Sequence, residues 1–392
     1  MKIAFIGQKG IPAAAGGVEK HVENLATRLA EMGHEVFVYV RNNYTEKTLN
    51  EYRGVKLVHL PSISTKNLDT ISYTFLATFH SLFQKYDIIH YQAIGPASLS
   101  FIPKMLKPKT TIISTFHCQD YFHQKWGWFA RKYLKFGEWM TCKIPDKTIA
   151  VSKTLRSYAL NKYCAKTSYI PNGANVTYNS STKALDRWNL KDKKYIVSVG
   201  RLIKHKGNQY LIEAFKKLED TNRLPNNFKL VIVGNGFHTE KYVRDLHKIS
   251  ENRKSIIFTN SQTGATLEQL FSHAYLFVQP SESEGLSISL LEAMGYGIAP
   301  LVSDIPENIE AIGKCGFSFH TRSKENLEEK LAYLLNKSKE VEKIGKLAKD
   351  KVQKEYNWDS IAKKTLKIYE SNQKLQSKLT FRKIQAENKL YV

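Results

Sequence analysis

The sequence has few cysteines and no long hydrophobic run. Its four cysteines lie far apart along 392 residues and form no C-x-x-C pair, which disfavours a zinc site or a disulfide framework and favours a reduced, cytosolic protein. The longest apolar stretches have the length of a strand and are too short to span a bilayer. The apolar stretch before Gly7 is also too short for the core of a signal peptide.

Acidic residues are scarce relative to basic ones. Lys and Arg total 59 against 36 for Asp and Glu, which gives a formal net charge of +23. Hydrophobic residues make up 42% and charged residues 24%, values that are normal for a folded protein and wrong for a disordered one. The surplus of positive charge indicates an anionic partner, such as nucleic acid, an acidic membrane surface or a phosphorylated ligand.

The length predicts two or three domains. Short apolar runs alternate with helical patterns, which is typical of parallel α/β sheets. We place one domain at 1–175, a linker rich in Asn, Ser, Thr and Lys at 173–193, and a second domain at 194–355. Residues 356–392 are expected to be helical, with a basic tail. The pattern predicts two doubly wound α/β domains of similar size.

A glycine-rich turn follows the first predicted strand, Ile3–Ile6. Gly16 and Gly17 lie where this turn leads into a helix predicted from about Val18 to Met32. Backbone N–H groups and the helix dipole at such a place suit an anion, although a merely tight turn is the alternative. The G-x-G-x-x-G fingerprint is absent and residues 41–43 supply no acid after the second strand, which disfavours a nicotinamide enzyme.

A basic motif, GRLIKHKG, follows the first strand of the second domain at residues 200–207. Ligands of open α/β sheets bind at the carboxyl edge of the strands. Arg201 offers a planar fork to phosphate oxygens and Lys206 a mobile positive charge, so the two can converge on one phosphorylated ligand. In a chain this basic, two cations in one loop can also arise without a ligand.

Two carboxylates eight positions apart follow a later strand of the second domain. A helix is predicted to begin near Ser287, which places Glu284 in the loop and Glu292 on the helix. Together with free backbone amides at the helix start, these groups can hold the hydroxyls and phosphates of one ligand. An acidic first turn favoured by the helix dipole would account for Glu284, but not for Gly285 or Glu292.

In the first domain, His117 stands at the end of a predicted strand. Most histidines are simply paired or exposed to solvent, but this placement favours a side chain that faces a cleft.

These segments together resemble the retaining GT-B glycosyltransferases of family 4. The resemblance rests on motifs spread over most of the chain: the Gly16-Gly17-x-Glu19 turn, His117, Ile170-Pro171-Asn172-Gly173, Gly200-Arg201…Lys206-Gly207, and the E-x₇-E pair Glu284 and Glu292. The stretches MKIAFIGQKGIP and FHCQDYFHQKWG look like the branch that contains bacterial rhamnosyltransferases of surface-polysaccharide assembly.

The resemblance implies a GT-B fold, in which two Rossmann-like domains face each other across a cleft and a C-terminal helix crosses back to the first domain. It implies that the second domain binds a nucleotide-sugar. Arg201 and Lys206 would neutralise its diphosphate, Glu292 would hold the ribose hydroxyls, and Glu284 would hold the transferred sugar. The backbone amides near the phosphates would be those of Gly285, Leu286 and Ser287.

The first domain is expected to carry the acceptor side. By resemblance His117 faces the sugar, and Gly16 and Gly17 approach the donor diphosphate or the acceptor. Glu19 and Asp120 are expected on the acceptor side. Relatives often carry Gly at the position of Cys118, so the backbone beside His117 is expected to differ here.

The implied reaction is retaining transfer by front-face attack, in which the phosphate of the donor takes the proton of the acceptor. No D-x-D motif is present, so we expect no metal and no cofactor besides the nucleotide-sugar. The favoured donor is dTDP-rhamnose and the implied acceptor an undecaprenyl-diphosphate-linked saccharide. A UDP-hexose or UDP-N-acetylhexosamine donor is the alternative, and a nucleotide-sugar epimerase or a phosphorylase on the same fold is also possible. A non-catalytic nucleic-acid-binding protein is a further alternative, against which Glu284 and Glu292 argue.

Residues 104–166 hold most of the basic excess of the first domain, with thirteen Lys or Arg against three acids. Aromatic residues lie among them: Tyr121, Phe122, Trp126, Trp128, Phe129, Tyr133, Phe136 and Trp139. This mixture suits an anionic bilayer surface, although it could bind single-stranded nucleic acid or include the buried face of a helix. We expect a cytoplasmic enzyme that is peripherally associated with the inner face of the plasma membrane and has no nucleic-acid partner.

Overall fold

The computed structural model describes residues 1–14, 16–65, 68–122, 126–236, 239–251 and 253–388. They divide into two compact units. The first unit begins at Met1 and ends at Pro171, and it includes the chain from Trp358 onward; the second unit is Asn172–Asn357. Along the sequence, the first unit ends at Pro171, four residues before the expected end of the first domain at 175. Residues 173–193 belong to the second unit.

The described part of the first unit contains an eight-stranded sheet. Its strands are β1 (Lys2–Ile6), β2 (Glu35–Arg41), β3 (Glu51–Tyr52), β4 (Val55–Leu60), β5 (Ile88–Gln92), β6 (Thr111–Phe116), β7 (Lys147–Ala150) and β8 (Ser168–Tyr169). The strand order is β3-β4-β2-β1-β5-β6-β7-β8, and the pairs are parallel except for β3 with β4. The central strands β5 and β6 are buried along their whole length, as expected of strands that are covered by helices on both faces.

Helices flank this sheet, and the first of them follows the predicted pattern. They are α1 (Gly17–Glu31), α2 (Leu68–Leu82), α3 (Ile94–Ala97), α4 (Phe101–Leu106), α5 (Trp128–Lys143) and α6 (Lys153–Tyr163). The predicted apolar face of α1, which includes Val22, Leu25 and Leu29, is buried. Its spacing of three and four residues places these side chains on one side of the helix.

The second unit repeats the doubly wound architecture with a parallel sheet. Its described strands are β9 (Tyr195–Val199), β10 (Lys229–Val233), β11 (Ile256–Phe258), β12 (Leu276–Gln279), β13 (Ala299–Ser303) and β14 (Phe317–Phe319), in the order β11-β10-β9-β12-β13-β14. Its described helices are α7 (Asn208–Asp220), α8 (Glu240–Ser250), α9 (Gly264–Ser272), α10 (Ile288–Gly295), α11 (Pro306–Ile312), α12 (Lys324–Leu335) and α13 (Ser338–Glu355). The prediction of two doubly wound α/β domains is confirmed.

The last helix, α14 (Trp358–Asn388), belongs to the first unit and packs against α1. Trp358, Ile361 and Tyr369 are buried there, and Arg28 of α1 forms an ion pair with Asp359 at 2.6 Å. Over the described ranges, we find no helix with the length and apolar character that crossing a membrane requires.

Candidate functional site

The strand order of the second unit reverses between β9 and β12, which is where open α/β sheets bind ligands. The loops that follow these two strands contact each other, because the backbone N–H of Glu282 donates to the carbonyl of His205 at 2.7 Å. Gly207 has φ +73°, and a Cβ at this position would lie 1.9 Å from the carbonyl oxygen of Pro280. Glycine is therefore required where the two loops meet.

Lys206 and Glu284 form an ion pair between these loops. Lys206 Nζ donates to Glu284 Oε1 at 2.6 Å, and the two side chains are 21% and 9% exposed. Burial acts to raise the pKa of Glu284, but the charge and hydrogen bond of Lys206 outweigh it and hold this pKa below its usual value of 4.5. The carboxylate is therefore ionised at neutral pH. Arg201 is exposed at the start of the same basic loop.

The N-terminus of α10 is held by a buried polar chain. Ser287 caps the helix by accepting a hydrogen bond from the N–H of Leu290, and its hydroxyl donates to Gln279 Oε1 at 2.6 Å. Gln279 in turn donates to Asn308 Oδ1 at 2.8 Å. The side chain of Ser287 thus serves the helix cap, while Gly285 and Leu286 lead the backbone into the helix start.

Two further contacts hold the loop that contains Glu284. Asn172 donates from Nδ2 to the carbonyl of Leu286 at 2.7 Å. Glu282 accepts hydrogen bonds from Arg322 at 2.9 and 2.7 Å and from the hydroxyl of Tyr210 at 2.9 Å. Asn172 belongs to the Ile170-Pro171-Asn172-Gly173 motif, but no role for its side chain was predicted from the sequence. Of the two loop carboxylates, Glu282 holds the loop in place through hydrogen bonds, and Glu284 forms the ion pair with Lys206 of the basic motif.

Two more carboxylates belong to this edge of the sheet. Glu292 is half-buried on the second turn of α10. Glu307 lies in the first turn of α11, where burial raises its pKa and the negative charges of Glu284 and Glu310 add to the effect. Glu307 carries no sequence signal for this site, because no motif links it to the E-x₇-E pair. In the described parts of the chain, no cluster of three or more His, Cys, Asp or Glu side chains could hold a metal ion.

In the first unit, the order of the strands reverses between β1 and β5, and the glycine-rich turn follows β1. Gly16 has φ +108°, and a Cβ there would lie 1.9 Å from Glu19 Oε2. Glu19 is buried, and its Oε1 accepts a hydrogen bond from the N–H of Lys9 at 3.1 Å. The carboxylate of Glu19 therefore braces its own turn. Among the described residues, a Cβ on Gly17 would meet no atom within 4 Å beyond its chain neighbours and the backbone of its own helix.

His117 is buried just after β6, and its Nε2 lies 2.8 Å from Gln92 Oε1. Because an amide oxygen only accepts, Nε2 carries the proton and Nδ1 is the acceptor. Burial, with a smaller contribution from neighbouring His21 and His90, lowers the pKa of His117 well below 6.5, so the ring is neutral at physiological pH.

Asp120 follows at the same strand end, in a 3₁₀ turn at Asp120–Phe122. It is half-buried and accepts a hydrogen bond from the thiol of Cys118 at 3.1 Å. His117 and Asp120 thus both follow the end of β6 in the first unit. In the second unit, the ion pair of Lys206 with Glu284 joins the basic motif to the loop after β12.

Two family descriptions match the chain in succession. Residues 15–178 match Glycosyltransferase Family 4, and residues 181–351 match Glycosyl transferases group 1. The two ranges meet close to the boundary between the structural units.

Several characterised or named relatives match over much of their length. An uncharacterized glycosyltransferase of Methanocaldococcus jannaschii is 28% identical over 94% of this chain and 98% of its own. The alpha-monoglucosyldiacylglycerol synthase of Streptococcus pneumoniae is 26% identical over 76% of this chain and 70% of its own. The O-antigen biosynthesis glycosyltransferase WclY of Escherichia coli is 25% identical over 64% of this chain and 70% of its own.

Solved structures share the fold. Sucrose-phosphate synthase from Thermosynechococcus elongatus has a TM-score of 0.81 at 19% identity, over 94% of this chain and 98% of its own. HepE of Anabaena, solved in complex with UDP and glucose, has a TM-score of 0.76 at 18% identity, over 95% of this chain and 100% of its own. At these identities the likeness concerns the fold alone.

Proposed function

The chain belongs to the family 4 and group 1 glycosyltransferases of the GT-B fold, and from this premise we propose that it transfers a sugar from a nucleotide-sugar to a saccharide carried by a membrane lipid. The predictions of a GT-B fold and of a glycosyltransferase are confirmed, and the alternative of a non-catalytic nucleic-acid-binding protein is wrong. The proposal rests on one observation above all: the ion pair of Lys206 with Glu284 at the strand-order reversal of the second unit.

In the proposed reaction, the second unit stabilises the leaving nucleoside diphosphate. Negative charge develops on the diphosphate as the bond from the anomeric carbon to the phosphate oxygen breaks. Arg201, Lys206 and the backbone amides at the start of α10 are placed at one sheet edge, where prepositioned positive charge lowers the barrier. These groups supply the positive charge that a metal ion would otherwise provide, so we propose metal-independent transfer with no further cofactor.

We propose that the transfer retains the anomeric configuration. The acceptor hydroxyl oxygen attacks the anomeric carbon from the face that the diphosphate leaves, and its proton passes to the departing phosphate oxygen. Ionised Glu284 accepts hydrogen bonds from hydroxyls of the transferred sugar, Glu292 holds the ribose, and neutral His117 contacts the sugar from the first unit. Each of these groups is a hydrogen-bonding side chain that suits a polyhydroxylated ligand.

Two classes of donor are proposed. The resemblance of the N-terminal segments to rhamnosyltransferases supports dTDP-rhamnose, whereas the UDP bound to HepE supports a UDP-hexose or a UDP-N-acetylhexosamine. A hydrolysis and transfer screen across dTDP-, UDP- and GDP-sugars tests the proposal, with Lys206→Ala as the matched negative control. We expect one nucleotide class to be consumed by the wild type and spared by the variant. Equal consumption by both proteins, or consumption of no donor, would contradict the proposed site.

The lipid-linked acceptor is supported by an unusual surface of the first unit. Four aromatic side chains of α5 are exposed, namely Trp128, Phe129, Phe136 and Trp139, and Phe129 reaches 81%. The buried face of α5 consists of other residues, among them Leu134 and Met140. The alternative that some aromatic residues of this segment form a buried helix face does not apply to these four, and the buried ring of Tyr121 lies in the 3₁₀ turn before α5.

The apolar surface extends beyond the segment that the sequence analysis identified. Phe75, Phe79 and Phe83, spaced four residues apart along α2 and just past its end, are exposed, and the first two rings lie 5.6 Å apart. Met105 and Leu106 of α4 are exposed as well. Helix α2 contacts α3 and α4, and α3 contacts α5, so these helices are neighbours. Exposed apolar side chains on neighbouring helices are a feature of interaction surfaces.

Basic side chains beside these aromatic residues favour an anionic bilayer as the partner of this surface. Arg131, Lys132 and Lys135 are exposed on α5, and Lys132 Nζ lies 3.8 Å from the centre of the Trp128 ring. Aromatic rings at the headgroup level and cations facing anionic lipid are the features of interfacial helices. We propose that this surface docks the first unit on an anionic membrane that carries the acceptor.

Flotation with phosphatidylglycerol vesicles tests the membrane proposal. We expect the wild type to float with the vesicles and the triple variant Arg131→Glu, Lys132→Glu, Lys135→Glu to remain in solution. A matched control reverses three exposed lysines of the second unit on α13, Lys343, Lys349 and Lys354. Binding that survives reversal on α5, or that is lost equally in the control, would overturn the assignment of this surface.

A further inference from the structure

A row of three buried rings links His117 to the returning helix α14. The ring of His21, on α1, lies 4.8 Å from the ring of His117 at an interplanar angle of 84°. On its other side, the ring of His21 lies 5.5 Å from that of Trp358 at 69°. His21 and Trp358 are buried. Trp358 therefore limits the movement of the His21 ring, and His21 limits the movement of the His117 ring.

A second contact from α14 supports the same region. His90 of β5 is buried between two hydroxyl groups, with Nδ1 at 2.7 Å from Tyr369 and Nε2 at 2.7 Å from Thr115. Burial lowers the pKa of His90 well below 6.5, so this ring is neutral too. Thr115 lies on β6, two residues before His117, and the strand therefore connects this contact with the orientation of His117.

Two contacts of His117 bear directly on the orientation of its ring. Its Nε2–H donates to Gln92, and the ring packs edge-to-face against His21. The hydrogen bond defines the tautomer, but a hydrogen bond from one ring nitrogen does not by itself prevent rotation of the ring plane. The contact with His21 supplies the second constraint that an oriented imidazole needs.

We propose that His21 is a positioning residue for His117, and that Trp358 and Tyr369 of α14 support it. Helix α14, which follows the last residue of the second unit, thereby supports the residue of the first unit that we propose to contact the sugar. The inference rests on the proposed role of His117 in sugar binding. Loosening His21 misplaces an otherwise intact neutral imidazole, which lowers turnover more than it lowers donor affinity.

The first test compares His21→Leu and the more conservative His21→Gln with the wild type. We expect kcat of His21→Leu to fall by about tenfold, with donor KM changing by less than about twofold. In nitrogen-15 NMR, we expect the ring signals of His117 to shift and broaden in His21→Leu as the ring plane becomes mobile, while the Nε2-protonated tautomer set by Gln92 is retained. An unchanged His117 signal in both variants, each folded by circular dichroism, would overturn the inference.

A double-mutant cycle separates positioning from general packing. If His21 acts through His117, adding His21→Leu to His117→Ala causes no further loss of turnover. A second full loss in the double variant would overturn the inference. Wild-type turnover of His117→Ala would overturn the proposed role of His117 and the inference with it, whereas wild-type turnover of His21→Leu beside an impaired His117→Ala would overturn the inference alone.

The support from α14 has a matched control of its own. Tyr369→Phe and Tyr73→Phe each remove one buried hydroxyl of the first unit, since Tyr73 donates to the carbonyl of Tyr39 at 2.6 Å. We expect Tyr369→Phe to shift the His90 and His117 signals and to lower kcat, and Tyr73→Phe to do neither. Equal effects of the two substitutions would show that loss of stability alone is responsible and would overturn the role of α14.

Discussion

Lowering the pH destabilises the first unit through two buried histidines. Burial holds the pKa of both His90 and His117 well below 6.5, whereas in the unfolded chain both rings titrate near the ordinary value. Below that value the unfolded state binds more protons than the folded state, so the free energy of unfolding decreases as the pH falls. As the pH falls below 6.5 toward about pH 5, each ring lowers the free energy of unfolding with a limiting slope of about 1.4 kcal/mol per pH unit.

Hydrogen exchange resolved by peptide measures this loss, because peptides of the first unit report its stability separately from that of the second. We expect protection of β5 and β6 to decrease over this pH range in the wild type. In His117→Gln the slope falls by one proton, because the His117 ring no longer titrates. An exposed histidine of α8, His247, supplies the control substitution His247→Gln, which leaves the slope unchanged.

The range between pH 6.5 and about pH 5 separates the titration of the two histidines from that of Glu284. Glu284, with its lowered pKa, contributes stability that is lost only at pH values below its ordinary 4.5. The reasoning would be refuted by equal slopes in the wild type and His117→Gln, or by protection that rises toward pH 5.

Four substitutions test the second unit. Lys206→Ala or Arg201→Ala should lower transfer by about a hundredfold or more with folding intact, and near-wild-type turnover in either would refute the phosphate assignment. Glu292→Gln should weaken donor binding most, so unchanged affinity by calorimetry would count against the ribose role. Gly207→Ala places a Cβ 1.9 Å from the carbonyl of Pro280 at φ +73°, and we expect a loss of about 1–3 kcal/mol in urea unfolding; a wild-type midpoint would contradict the required close approach.

The architecture was predictable because its signal is local. Apolar runs such as Ile3–Ile6 and Tyr195–Val199 alternate with helical periodicity, and a parallel sheet buried on both faces requires that alternation. The helix predicted from Val18 to Met32 is shifted by one residue, since α1 begins at Gly17 and ends at Glu31. Helix ends depend on capping contacts, which periodicity does not contain.

The candidate site was predictable only in part. The residues after β9 and β12 were identified by their positions at strand ends and by charge, and the structure brings Lys206 and Glu284 within 2.6 Å. The contributions of Asn172 and Glu307 were not predicted. Asn172 acts on a loop more than a hundred positions away, and Glu307 is near Glu284 only because β12 and β13 pair in parallel.

Local sequence patterns specify which segments become strands, which loops follow their carboxyl ends and which charged groups those loops carry, because strand periodicity and loop composition are local properties. Packing between distant segments specifies which of those groups come into contact. It paired Lys206 with Glu284, committed Glu19 to its own turn, and turned the aromatic residues of α5 outward while Leu134 faced the core. Pairing across distant loops and the choice of a buried helix face follow from packing, which the order of residues along one segment does not specify.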